Sequence, residues 1–137
     1  MPHFSKESRR ALNTCHRDLI RLFENVLRDF DCSVLEGFRP EARQRELYEA
    51  GKSKVSWPNS KHNKNPSMAV DVAPYPIDWE DEERFYYFAG FVLARATSMG
   101  ISIRWGGDWN RNRHMDDQNF NDLVHFELFS AKYEGLL

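Results

Sequence analysis

Apolar residues between positions 7 and 30 recur at three- and four-residue steps: Leu12, Cys15, Leu19, Phe23, Val26 and Phe30. That period predicts one long amphipathic helix over 7–30, with Ser5 as its N-cap and Asp31 past its end. CSVLEG (32–37) has the length and branching of a short buried strand. Pro40 suits the first turn of a second helix over 40–50, stopped by Gly51. The period then vanishes. Residues 52–67 are rich in Ser, Asn, Lys and Pro, which predicts a long loop, and loops of such length in compact domains are often functional. MAVDVAP (68–74) returns to a strand pattern and stops at Pro74. Asp78 is placed to cap a helix over about 80–99, whose buried face is Phe85, Phe88, Ala89, Val92 and Ala96, and which Gly100 ends. ISIRW (101–105) and LVHFEL (123–128) predict two further strands. A second polar loop (106–121) separates them, and the last nine residues form a short tail.

Helices and short strands in this order predict an α+β fold: a small, mainly antiparallel sheet packed against helices, with two long active-site loops. The 137 residues are expected to form a single domain, 1–137, and apolar residues at 41% supply a real core. Nineteen basic residues against twenty-one acidic ones give a net charge of -2, which argues against a nucleic-acid partner. Cys15 is read as a core residue. A Cys15–Cys32 bridge is the minor alternative, and free thiols fit a protein made in the cytoplasm. The N-terminus shows no apolar signal segment, and no stretch approaches the length of a membrane span, so no membrane insertion is expected. A monomer is the expected state.

Three polar residues stand out against this pattern. Asp71 interrupts MAVDVAP, His125 interrupts LVHFEL, and His62 lies in the first loop nine residues before Asp71. A carboxylate inside a buried strand costs several kcal/mol unless it is paired or binds a cation. Two imidazoles and one carboxylate form a known type of catalytic zinc set, with a fourth position open for water. Asp122, three residues before His125, is placed to act as a general base. Each residue also has a plainer reading: a hydrogen-bonded core histidine, a turn aspartate, a solvated loop histidine. Spacing alone offers no fixed motif such as HExxH. A carboxylate pair such as Glu36 with Asp108, as in glycosidases, is also compatible with the composition.

SKH (60–62), AVDVAPY (69–75), WGGDWN (105–110) and DLVHFEL (122–128) occur in this order, preceded by GFR (37–39) and Gln44. Over about 33–128 the chain resembles the zinc peptidases that include D-alanyl-D-alanine carboxypeptidases, D-alanyl-D-alanine dipeptidases and L-alanyl-D-glutamate endopeptidases. It is most similar to the compact endopeptidases that serve bacteriophages as endolysins. The resemblance implies His62, Asp71 and His125 as ligands of Zn2+, and Asp122 as the general base. It implies Arg39 as the group that holds the substrate carbonyl and its developing oxyanion. Ser60 and Asp108 are further candidates for substrate binding, Asp108 also for a hydrogen bond to a metal-bound histidine. Trp105, Trp109 and Tyr75 are candidates for lining the cleft. His3, His16 and His114 are read as surface residues. HNKNPSMAVD places eight residues between His62 and Asp71, longer than the family's usual spacing. The loop around Pro66 is expected to absorb the excess, with Asn63 as the fallback ligand.

The implied partner is the peptidoglycan stem peptide, cut at the L-Ala-D-Glu bond during host cell lysis. A phage enzyme made in the host cytoplasm without a signal peptide would need a membrane-permeabilising lysis partner to reach the wall. A D-Ala-D-Ala carboxypeptidase is the enzymatic alternative. A non-catalytic cell-wall-binding module is another, since the Hedgehog signalling domain uses the same fold as a ligand. A small metal-dependent nuclease is the third, disfavoured by the acidic charge.

Overall fold

Ser5 caps the first helix: its hydroxyl oxygen accepts a hydrogen bond from the Ser8 N–H at 3.1 Å. The computed structural model, which describes residues 2–115, 121–130 and 132–133, ends that helix early. In place of one helix over 7–30 there are two, α1 (Lys6–Leu12) and α2 (Arg17–Leu27). The backbone between them leaves the helical ladder to pair with Ser67. His16 N–H donates to Ser67 O at 2.8 Å, and Ser67 N–H donates to Thr14 O at 2.9 Å. His16 then caps α2, its Nδ1 accepting from the Asp18 N–H at 3.0 Å. The apolar period runs through the break because both helices face one core, so periodicity could not reveal it. Gly37 packs into the break. A Cβ there would lie 2.4 Å from Ala11 O, closer than any side chain can stand.

The remaining elements are β1 (Cys32–Glu36), α3 (Glu41–Glu49), a 3-10 turn (Lys61–Asn63), β2 (Ala69–Pro74), α4 (Glu82–Ser98), β3 (Ile103–Gly106) and β4 (Asp122–Leu128). Helix α4 begins later than the sequence suggests. Asp81 is its N-cap, accepting from Arg84 N–H, while Asp78 accepts from Glu80 N–H in the preceding turn. Strand β3 likewise begins at Ile103 rather than 101, because Ile101 N–H still closes α4 by donating to Ala96 O at 2.9 Å. The predicted loop 106–121 is described up to residue 115 and at 121; residues 116–120 lie outside the described residues, as do 131 and 134–137 of the tail.

The four strands form one antiparallel sheet in the order β1-β2-β4-β3, which bears out the α+β expectation. Alternation along the strands sorts the sheet into two faces. Val70, Val72, Phe126 and Leu128 join Phe23 of α2 and Phe88 of α4 in a core with no exposed side chains. The intervening residues, Asp71, His125 and Glu127, point to the opposite face. The two cysteines are buried and free, so no bridge joins them. Burial pushes both thiols up to about 12, which leaves them neutral and inert.

Candidate metal and catalytic site

Register brings the site together. Asp71 of β2 is paired with His125 of β4 on one side and with Glu36 of β1 on the other. An irregularity between Val34 and Glu36 shifts the edge strand so that Glu36 stands opposite Asp71. His62 arrives from the 3-10 turn. Ser60 caps that turn, its hydroxyl accepting from His62 N–H at 3.2 Å, and Asn63 Oδ1 accepts from Ser60 N–H at 3.1 Å. The capped turn buries His62 to 2% exposure, and the segment after it, 64–68, takes up the long spacing before β2.

His62, Asp71 and His125 each present one donor atom, and these atoms lie within 4.8 Å of one another. His62 Nε2 is 3.1 Å and His125 Nδ1 is 3.5 Å from the same Asp71 oxygen, Oδ1. The outward ring nitrogens are engaged elsewhere. His62 Nδ1 is 2.8 Å from Gly37 O, and His125 Nε2 is 2.8 Å from Glu127 Oε1. A proton on each outward nitrogen leaves the inward one with a free lone pair, the tautomer a metal ligand needs. The electrostatics show that this space favours positive charge, whether a proton or a cation. Burial opposes the charge on Asp71, yet the His62 and His125 rings hold its carboxyl well below the usual carboxylate range. Burial likewise opposes a charged His125, but Asp71 and Glu127 raise it to about 9. The pocket thus favours positive charge beside Asp71. Two imidazoles and a carboxylate, buried and oriented, fit Zn2+.

Arg39 is 8% exposed and fixed by a fork. Its Nε and NH2 groups donate to Glu36 Oε1 at 3.0 and 2.6 Å, and its NH1 donates to Gln44 Oε1 at 3.0 Å. One edge stays 3.7 Å from Asp71. Gln44 in turn donates to Ser53 Oγ and Val55 O, tying the arginine to the loop after α3. Asp122 opens β4 on the same cleft. Burial and the nearby Asp71 charge raise its pKa, while His125, His62 and Arg39 temper the rise. A carboxylate so shifted is a better proton acceptor.

A cleft of about 640 Å³ joins these groups: Arg39, Ser60, His62, Asp71, Asp122 and His125 all line it, with Trp109 tilted against His125 at 5.2 Å. Not every sequence candidate is there. Asp108 lies outside the cleft lining and accepts from Asn112 and Arg113 N–H groups, shaping its own loop. The histidine-orienting carboxylate is Glu127 instead. Glu36 is occupied by Arg39, so the Glu36–Asp108 pair does not form. Asn63 is spent on Ser60, Arg39 and Gln44 and is not a substitute ligand. Trp105 is in the core and donates to Leu123 O, and Tyr75 is exposed apart from the cleft. His3 and His114 are on the surface, whereas His16 is a half-buried cap. Glu127 was missed, although its place two residues after His125 on one strand was a signal that both share a face.

Residues 1–129 match the model of the phage L-alanyl-D-glutamate peptidase family. The chain belongs to that family. This peptidase is 30% identical over 120 residues to the L-alanyl-D-glutamate peptidase of Escherichia phage T5, covering 84% of this chain and 87% of the relative. Among solved structures it is similar to the L-Ala D-Glu endopeptidase ChiX of Serratia marcescens. There the TM-score is 0.75 at 31% identity, over 96% of this chain and 93% of that one. Among the described residues of the peptidase, no helix is long and apolar enough to cross a membrane.

Proposed function

We propose that this chain is a zinc-dependent endopeptidase that hydrolyses the L-Ala-D-Glu bond of the peptidoglycan stem peptide. The observation that carries the reading is the convergence of His62, Asp71 and His125 with Asp122 and Arg39 in one cleft of a member of this family. His62, Asp71 and His125 would hold the zinc, which would supply Lewis acidity toward the scissile carbonyl. Asp122 accepts a proton from the attacking water and passes it to the leaving amine. Arg39, held by Glu36 and Gln44, keeps a fixed positive charge for the oxygen that becomes negative. Trp109 lines the cleft with its ring tilted against that of His125. The phage family supports a role in host lysis; synthesis in the host cytoplasm and release to the wall by a membrane-permeabilising partner complete the proposal.

The direct test is Asp122→Ala. The variant should retain zinc and lose most of its activity on purified peptidoglycan; undiminished cleavage would sink the mechanism. Mass spectrometry of digested stem peptides identifies the bond. Release of a single terminal D-Ala would replace this reading with a D-Ala-D-Ala carboxypeptidase.

A further inference from the structure

The two walls of the cleft differ in charge. Among the described residues, the four acidic ones that line it, Glu36, Asp71, Asp122 and Glu127, all belong to the sheet. Three of them are already matched. Arg39 binds Glu36, Lys61 and Arg104 bind Glu127 at 3.3 and 2.8 Å, and Asp71 lies between two histidines. The facing wall comes from α3 and the segment after it. Arg43, Lys52 and Lys54 line it together with Leu47 and Val55. Among the described residues, none of that segment's glutamates lines the cleft. Arg43 bonds Glu46 at 2.8 Å and lies 3.8 Å from Glu36 at the edge of the sheet, yet keeps 47% of its side chain exposed, and Lys52 is exposed.

A ligand held against the sheet therefore meets cations and short aliphatic side chains on its other side. That suits a carboxylate on a small aliphatic residue. In the stem peptide, D-Glu continues the chain through its γ-carboxyl group. Its α-carboxylate is left free, on the same carbon that bears the scissile nitrogen. Some cell walls convert that carboxylate to an amide, giving D-isoglutamine.

We propose that Arg43 and Lys52 on this wall read the free α-carboxylate, so that the enzyme selects D-Glu stem peptides over their amidated counterparts. This rests on the L-Ala-D-Glu reading above. The steric difference between a carboxylate and a primary amide is small, so charge is the feature available for discrimination. A rim of exposed cations acts through long-range attraction, which salt weakens.

The experiment compares two synthetic tetrapeptides, one with D-Glu and one with D-isoglutamine after L-Ala, using the zinc-loaded wild-type chain. The acid should be preferred by about tenfold or more in kcat/KM, mostly through KM, and less so at high salt. In the double variant Arg43→Met, Lys52→Met the preference should collapse toward equality, with zinc content and melting temperature as controls of the fold. Equal kcat/KM for the two peptides in the wild type overturns the proposal. So does a preference that survives in the double variant. If neither peptide is cut after L-Ala, the underlying functional reading falls and takes this one with it. If both are cut equally, only the carboxylate recognition falls.

Discussion

His125 lies between two carboxylates: Glu127 bonds its Nε2 at 2.8 Å, and Asp71 stands 3.5 Å from its Nδ1. Glu127 is in turn held below its usual range, to about 2, against burial, by the His125 bond and by Lys61 and Arg104. Glu127 therefore fixes the tautomer of a proposed metal ligand without belonging to the candidate donor set. Glu127→Gln should weaken zinc binding by about 10–100-fold while the chain stays folded, measured by competition with a chelator. Unchanged affinity would reduce Glu127 to a counter-ion for Lys61 and Arg104. Arg39 is a second case of geometry exceeding charge. Lysine at this position keeps the charge but cannot bond Glu36 and Gln44 together through a planar fork. Arg39→Lys should lower kcat by about 100-fold with zinc retained, read from steady-state kinetics on a stem peptide.

Single strands place the chemistry through their partners. Asp71 meets His125 because β2 and β4 are in that register, and a slip of either strand by one residue would send its member of the pair to the core face. The start of β4 depends on an unusually close approach. Gly106 pairs with Asp122 across an irregularity, and a Cβ at Gly106 would lie 2.1 Å from Asp122 O. Gly106→Ala should push Asp122 out of place, costing about 1–3 kcal/mol of stability by urea unfolding and most of the activity, with zinc still bound. Activity near the wild-type level would show that the site tolerates a moved Asp122. At this scale the sequence was a good guide to strands and a poor one to breaks. Four strands and the helices around them were legible from period and turn residues. The interruption between α1 and α2 was not, because it is set by hydrogen bonds to Ser67, over fifty residues away.

Across the whole molecule, Tyr133, near the end of the described residues, returns to the second helix. Tyr133 donates its hydroxyl to Asp18 at 2.8 Å, next to Arg21 and edge-on to His16. Burial works against ionised Asp18, yet Tyr133, Arg21, His16 and Lys132 keep its pKa below the ordinary 3.8. Burial and the bond to Asp18 push Tyr133 up to about 12. A depressed carboxyl adds stability above its unfolded value and loses it as pH falls through the folded one. A raised phenol adds stability below its unfolded value of 10.0 and loses it as pH rises through about 12. Tyr133→Phe should therefore cost about 1 kcal/mol near neutral pH. The gap to the wild type should close below about pH 4 and above about pH 12, measured by thermal melting against pH. A gap constant across that range would mean that packing, not the hydrogen bond, holds the tail.

The residues of the chain determined by themselves the fold class, the loops that matter and the donor types, since period, turn composition and ordered motifs are local properties. They marked His62, Asp71, His125, Asp122 and Arg39 as candidates. Which of these could meet, and which neighbours hold them, depends on contacts between segments far apart in sequence. Only the tertiary structure set Glu127 behind His125, turned Asp108 to its own loop, engaged Glu36 with Arg39 and gathered the Arg43–Lys52–Lys54 wall opposite the sheet. The physical reason is that a side chain's partner is decided by strand register and loop closure.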